Sequence, residues 1–227
     1  RNDTVTQNIV TRDWSCDSDD SHSAFYFTGS SWNNYFYGNV ININNGPQGA
    51  SNDGHGYRRT HDFYGFHGSE SNHDNKFVNN SVTIGLTYDD NSAHNNRGFA
   101  YLGNNAVLEG NKVAVYNYSN NSNENDDDWR GRVSSCVYGH GQVTSINDTL
   151  ITAKNTAGIH ATDLNMSGTV ISNSNSYQTE YFKAVYASGS LSMDNVTITG
   201  MRYPVYFTGT SGTIKNTTIV SIGDDGI

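Results

Sequence analysis

One short pattern recurs along this 227-residue chain and leaves few folds open. Phe25-Tyr26-Phe27-Thr28-Gly29 is followed by Asn39-Val40-Ile41-Asn42-Ile43, and Tyr64-Gly65-Phe66-His67-Gly68 by Asn80-Ser81-Val82-Thr83-Ile84. Phe99-Ala100-Tyr101-Leu102-Gly103 precedes Asn111-Lys112-Val113-Ala114-Val115, and Val137-Tyr138-Gly139-His140-Gly141 precedes Asn147 and Leu150-Ile151. A degenerate copy runs from Ile159 through Asp163 to Val170-Ile171. Two compact copies close the series, Val185 to Ile198 and Val205 to Ile219. The corner glycines Gly29, Gly68, Gly103 and Gly141 stand 39, 35 and 38 residues apart, whereas Gly189 and Gly209 are separated by 20.

Alternation of apolar and polar side chains on both sides of a turn predicts short strands with one buried face. Phe25, Phe27, Val185, Ala187, Val205 and Phe207 take inward positions. Tyr26, Tyr138, His160, Tyr186 and Tyr206 take outward ones, where a row of stacked rings would brace neighbouring strands or offer a platform to a sugar. Gly and Asn at the corners are expected because they tolerate left-handed backbone. A unit of about 20 residues made of several short strands cannot close its own core, so copies must stack. Asparagines at equivalent corners would then bond into a ladder.

Composition agrees. Only 34% of residues are hydrophobic and 15% charged, with 31 Asn, and strong helix formers are scarce, which argues against a helix bundle. Fifteen Tyr, nine Phe and three Trp argue against disorder. A net charge of −9 argues against a nucleic-acid partner, and no apolar run is long enough for a transmembrane helix.

The repeat resembles the right-handed parallel β-helix proteins of the pectate-lyase-like superfamily, over nearly the whole chain. The resemblance implies an all-β fold: a single β-solenoid domain spanning 1–227, of about eight coils, with longer loops in 1–135 and compact coils in 136–227. The inserts Asn44 to Thr60, Gly85 to Arg97, Tyr116 to Ser135 and Ser172 to Phe182 would project from one flank. Asn2-Asp3-Thr4-Val5-Thr6 reads as the second half of a coil and Gly226-Ile227 as the start of another, with no obvious end caps. Thr4, Val5, Ile219 and Ile227 would therefore lie at open ends, suited to stacking of subunits into a filament, hoop or sheath. Sheath-forming and surface-layer proteins of archaea are similar to this picture. The partner is then the chain itself, and the place extracellular or the cell surface.

An Asn-rich chain with open sequons suits that location; Asn79, Asn117, Asn147 and Asn195 are candidate glycosylation sites. Cys16 and Cys136, read as loop residues, could form one internal bridge, link subunits or stay free.

The alternative on the same fold is a carbohydrate-active enzyme, lyase or hydrolase, or a spike that binds cell-surface glycans. Gly223-Asp224-Asp225-Gly226 looks like the paired aspartates of pectin-degrading glycoside hydrolases, which would make Asp224 and Asp225 the acid and base. The Gly-His-Gly strings at His55 and His140 precede those aspartates instead of following them, unlike that family. Arg58, Arg59 and His61, with Asp62, would be the anion clamp and base of a lyase. His55, His61, His67 and His73 recur every six residues, a spacing that does not converge on a metal. No cofactor is expected, although the acidic runs Asp17, Asp19, Asp20 and Glu124, Asp126, Asp127, Asp128 have the oxygen chemistry that calcium takes.

Overall fold

The computed structural model describes residues 2–14, 22–27, 29–45, 62–86, 96–117, 134–154, 156–174 and 183–222. Among these every regular element is a strand and none is a helix, so no helix long and apolar enough to cross a membrane occurs there. In chain order the strands are β1 (Thr4–Thr6), β2 (Ile9–Trp14), β3 (His22–Tyr26), β4 (Tyr35–Tyr37), β5 (Val40–Asn45), β6 (Phe63–His67) and β7 (Lys76–Val78). Next come β8 (Ser81–Leu86), β9 (Arg97–Leu102), β10 (Ala106–Glu109), β11 (Lys112–Asn117), β12 (Ser134–Gly139), β13 (Gln142–Ile146) and β14 (Thr149–Lys154). The last are β15 (Thr156–Ser167), β16 (Val170–Asn173), β17 (Lys183–Asp194), β18 (Thr197–Met201), β19 (Tyr203–Phe207), β20 (Ser211–Lys215) and β21 (Thr218–Ser221).

All pairings are parallel, and each strand pairs with its counterpart in the next copy of the repeat. Eight strands form one sheet in the order β2-β5-β8-β11-β14-β16-β18-β21. The other thirteen form a curled sheet with two flanks, one carrying β1, β4, β7, β10, β13 and β20, the other β3, β6, β9, β12 and β19. The long strands β15 and β17 run through both flanks. This arrangement is compatible with a β-solenoid. Strands β9 and β12 begin at Arg97 and Ser134, so the inserts end earlier than the sequence suggests.

The core is built from in-register rows. Val10, Ile41, Val82, Val113, Leu150, Ile171, Ile198 and Ile219 form the row of the eight-stranded sheet. Facing it are Val5, Phe36, Phe77, Leu108, Ser145, Met166, Met193 and Ile214. The second flank contributes Phe25, Phe66, Phe99, Val137, Ile159, Val185 and Val205. Phenylalanines pack within and between rows: Phe36 stacks on Phe77 at 4.8 Å, Phe66 on Phe99 at 5.0 Å, and Phe66 meets Phe77 edge-on at 5.3 Å. Each such fully buried ring contributes roughly 1.5–3 kcal/mol. A few inward side chains per copy therefore suffice, and the polar excess stays at corners and outer faces.

The corner between the first flank and the eight-stranded sheet is set by a left-handed residue: Gln7, Gly38, Asn79, Gly110, Asn147, Gly168, Asn195 and Asn216, with φ between 48° and 66°. In the first five copies the residue that follows it carries the predicted ladder. Asn8 Nδ2 donates to Asn39 Oδ1 (2.9 Å), Asn39 to Asn80 (2.9 Å), Asn80 to Asn111 (3.0 Å) and Asn111 to Asp148 (2.9 Å). Asn147, Asn195 and Asn216, which the repeat aligns with the ladder, instead hold the left-handed position one residue earlier. There they do the conformational job of Gly38 and Gly110.

Candidate functional site

The outer side of the second flank concentrates the polar chemistry of the described residues. One row, read in register, is Ser23, Tyr64, Arg97, Ser135, Ala157, Lys183 and Tyr203. The other is Tyr26, His67, Ala100, Tyr138, His160, Tyr186 and Tyr206. Between Phe99 and Leu102 the register against β12 slips by one residue. The bulge puts Tyr101 in left-handed backbone (φ 54°), an uncommon state for a bulky side chain. It also seats the Tyr101 ring in the second row, where Ala100 would leave a gap.

The result is a continuous run of rings. Tyr26 lies 4.7 Å from His67, His67 5.3 Å from Tyr101, and Tyr101 5.5 Å from Tyr138. Tyr138 lies 4.7 Å from His160, His160 4.5 Å from Tyr186, and Tyr186 5.5 Å from Tyr206. Most contacts are tilted or edge-on, the geometry favoured by the ring quadrupoles. Arg97, fully buried, lays its guanidinium 4.0 Å over Tyr138 and 4.9 Å over Tyr101. Lys183 sits 5.1 Å over Tyr206, and Arg202 5.4 Å over Tyr203.

Electrostatics follow from this packing. Burial, aided by the cation of Arg97, pushes all three histidines of the face down. His160 falls to about 4, with His140 adding its repulsion. His67 and His140 are lowered by the same two causes, with Asp62 and Glu70 respectively opposing the shift. Burial and the nearby Asp62 carboxylate push the Tyr64 hydroxyl well up; it donates to Asp62 Oδ2 at 2.9 Å. At neutral pH the lowered histidines of the face are therefore neutral imidazoles beside the buried guanidinium of Arg97.

The residues named from sequence divide clearly. Tyr26, Tyr138, His160, Tyr186 and Tyr206 do fall in one row, joined by His67 and His140. They are not all exposed, however: Tyr138 and Tyr186 retain 7% and 9% of their surface, while Tyr26 and Tyr206 at the row ends retain 64% and 46%. His73 lies apart at a corner, stacked on Trp32 and bonded to Asp74 at 2.7 Å. Asn79, Asn147 and Asn195 are exposed at the left-handed corner. Arg58, His61, Asp224, Asp225, Cys16, Ile227 and the acidic runs lie outside the described residues, as does the side chain of Asn117. Arg97, Tyr64, Tyr101 and Lys183 were missed. The first was counted with an insert, Tyr101 joins its row through a bulge, and Tyr64 and Lys183 differ in type from their row neighbours, so only the register reveals them.

Cys136 corrects an expectation. It lies inside β12, not in a loop, and is fully buried. Its register neighbours are Gly98 and Gly158, in a row where small side chains face the eight-stranded sheet. Its thiol donates toward Ile151 O at 3.4 Å, and burial pushes its pKa strongly up. A protonated, enclosed thiol neither attacks nor links. Cys136 is therefore expected to resist Ellman-type thiol reagents in the native state and to react within the dead time once the chain is unfolded in denaturant. Rapid native-state labelling would contradict this placement.

At the two ends of the rows the core comes into the open. Ile214 is 41% exposed although its register partner Met193 is fully buried, and Val5, Val10, Phe207 and Ile219 are only partly covered. Strand β20 is exposed along its whole length. Comparison of the chain with family models, with curated proteins and with solved structures returns no match.

Proposed function

We propose that the chain forms an eight-coil right-handed parallel β-helix of the pectate-lyase-like type, and that it is an extracellular structural subunit. In this reading it assembles end to end into a filament, hoop or sheath-like surface layer. The observation that carries the proposal is the uncovered core at the outermost strands. Two apolar rows that are buried at Met193 and Ile198 but only partly covered at their last members, Ile214 and Ile219, gain by meeting further such rows, and a head-to-tail interface repeats without closing. Light scattering across a dilution series, with negative-stain microscopy, tests it. Polymer is expected in the parent, and Val5→Asp or Ile219→Asp should abolish it while leaving the strand signature in circular dichroism intact. A parent that stays monomeric at every concentration sinks the reading.

Binding of cell-surface glycans by the second flank is a second reading, favoured by the unbroken run of rings with Lys183 and Arg202 beside it. Glycan-array binding that is lost in Tyr186→Ala and Tyr206→Ala would support it. Array binding that persists in both would remove the ring row as its carrier.

A further inference from the structure

Resting on the self-assembly reading, we infer that the joint between copies has one register, with Thr217 of one copy over Asn8 of the next, Ile214 over Val5 and Ile219 over Val10. The argument is one of complementary edges. At every corner inside the chain the left-handed residue donates its backbone N–H to the carbonyl just before the next corner: Gln7 to Tyr37, Gly38 to Val78, Asn79 to Glu109, and so on to Asn195 and Lys215. Continued once more, the Asn216 N–H falls on the Thr6 carbonyl of the following copy. The first strand residue donates backwards, as Val40 to Asn8 and Thr218 to Val196, so Ile9 of the following copy would donate to the Thr217 carbonyl.

The inward corner residue closes the set. Asn8, Asn39, Asn80 and Asn111 each donate their backbone N–H to the side-chain oxygen of the next rung. Among the described residues the Thr217 N–H has no such acceptor and Asn8 Oδ1 no donor, and the continued register brings them together.

A register is testable by disulfide trapping. Ile9 is 76% exposed and Thr218 lies in its outward row, so Ile9→Cys with Thr218→Cys disturbs no core position. The parent for the test is Cys16→Ser with Cys136→Ala, the latter filling its slot as Ala184 does. Neighbouring parallel strands put matched residues about 5 Å apart, within disulfide reach, whereas Thr11→Cys with Thr218→Cys, two residues out of step, would be about 8 Å apart. Oxidation of preformed polymer should give a reducible ladder of chains with the matched pair, about tenfold more of it than with the shifted pair. Polymer that cross-links equally or better through the shifted pair overturns the register but leaves end-to-end assembly standing. Absence of polymer in the cysteine-free parent overturns the assembly reading and the register with it.

Discussion

Asp148→Ala should remove about 3–5 kcal/mol of stability in urea unfolding at pH 7, whereas Asp148→Asn should leave stability unchanged or raise it by up to about 3 kcal/mol. Asp148 ends a ladder in which every amide points the same way. Its Oδ1 accepts from Asn111 N (2.7 Å) and Asn111 Nδ2 (2.9 Å), and its Oδ2 from Ser145 Oγ (2.7 Å). Alanine would strand these buried donors, each at roughly 1–3 kcal/mol. Asparagine keeps the Oδ1 acceptor, and its new N–H groups can meet Ser145 Oγ, whose own proton turns to Thr169 Oγ1 at 2.9 Å. Equal losses in both variants would show that the ladder's end is not what this site supports.

The same pair of groups gives the pH dependence its sign. Burial raises Asp148 to about 6, against its hydrogen bonds, so in the window from about 6 down to 3.8 the folded chain binds more protons than the unfolded one. Acidification through that window therefore stabilises, by about 3 kcal/mol in full. His160 does the opposite. Lowered from 6.5 to about 4, it is protonated first in the unfolded chain, so acidification between those values destabilises by about the same amount. The two contributions nearly cancel between pH 6 and 4. Asp148→Asn should unmask acid lability, and His160→Tyr, which matches its row neighbours Tyr138 and Tyr186, should unmask stabilisation on acidification.

The parts of the fold legible in the sequence are those that depend on parity. Inward Val185 and outward Tyr186 follow from period-2 alternation, and equivalent asparagines follow from the repeat. What escaped depends on offsets of a single residue. Asn147 and Asp148 are both good corner residues, and only the backbone decides which turns left-handed and which enters the ladder. Tyr101 reaches the ring row through a bulge that alternation does not announce. Arg97 reads as part of a polar insert because a buried guanidinium is rare; its place becomes visible once Tyr64 and Ser135 are found on either side of it.

The corner glycines carry the most specific lesson, and Gly103→Ala the second large effect. Left-handed backbone is the expected reason for Gly29, Gly68, Gly103, Gly141 and Gly209, but only Gly29 among them has it, at φ 68°. The others are glycine because neighbouring copies touch there. A Cβ on Gly103 would stand 1.7 Å from the carbonyl oxygen of Asn72 and 2.7 Å from its carbonyl carbon. That carbonyl belongs to backbone tied to the same copy, since His73 bridges Asn104 and Asp74 N–H donates to Asn104 O. It cannot move without parting strands, so the methyl should cost about 3 kcal/mol or more, at the upper end for overpacking. Two controls separate this cause from glycine's flexibility. At Gly85 in β8 the nearest atom to an added Cβ is 3.8 Å away, so Gly85→Ala should be neutral or stabilising by about 0.5 kcal/mol. At Gly29 the space is open but the backbone left-handed, so Gly29→Ala should lose about 1 kcal/mol from conformation alone. An order other than Gly103, Gly29, Gly85 in thermal or urea unfolding would mean that contact between copies does not dictate the corner residue.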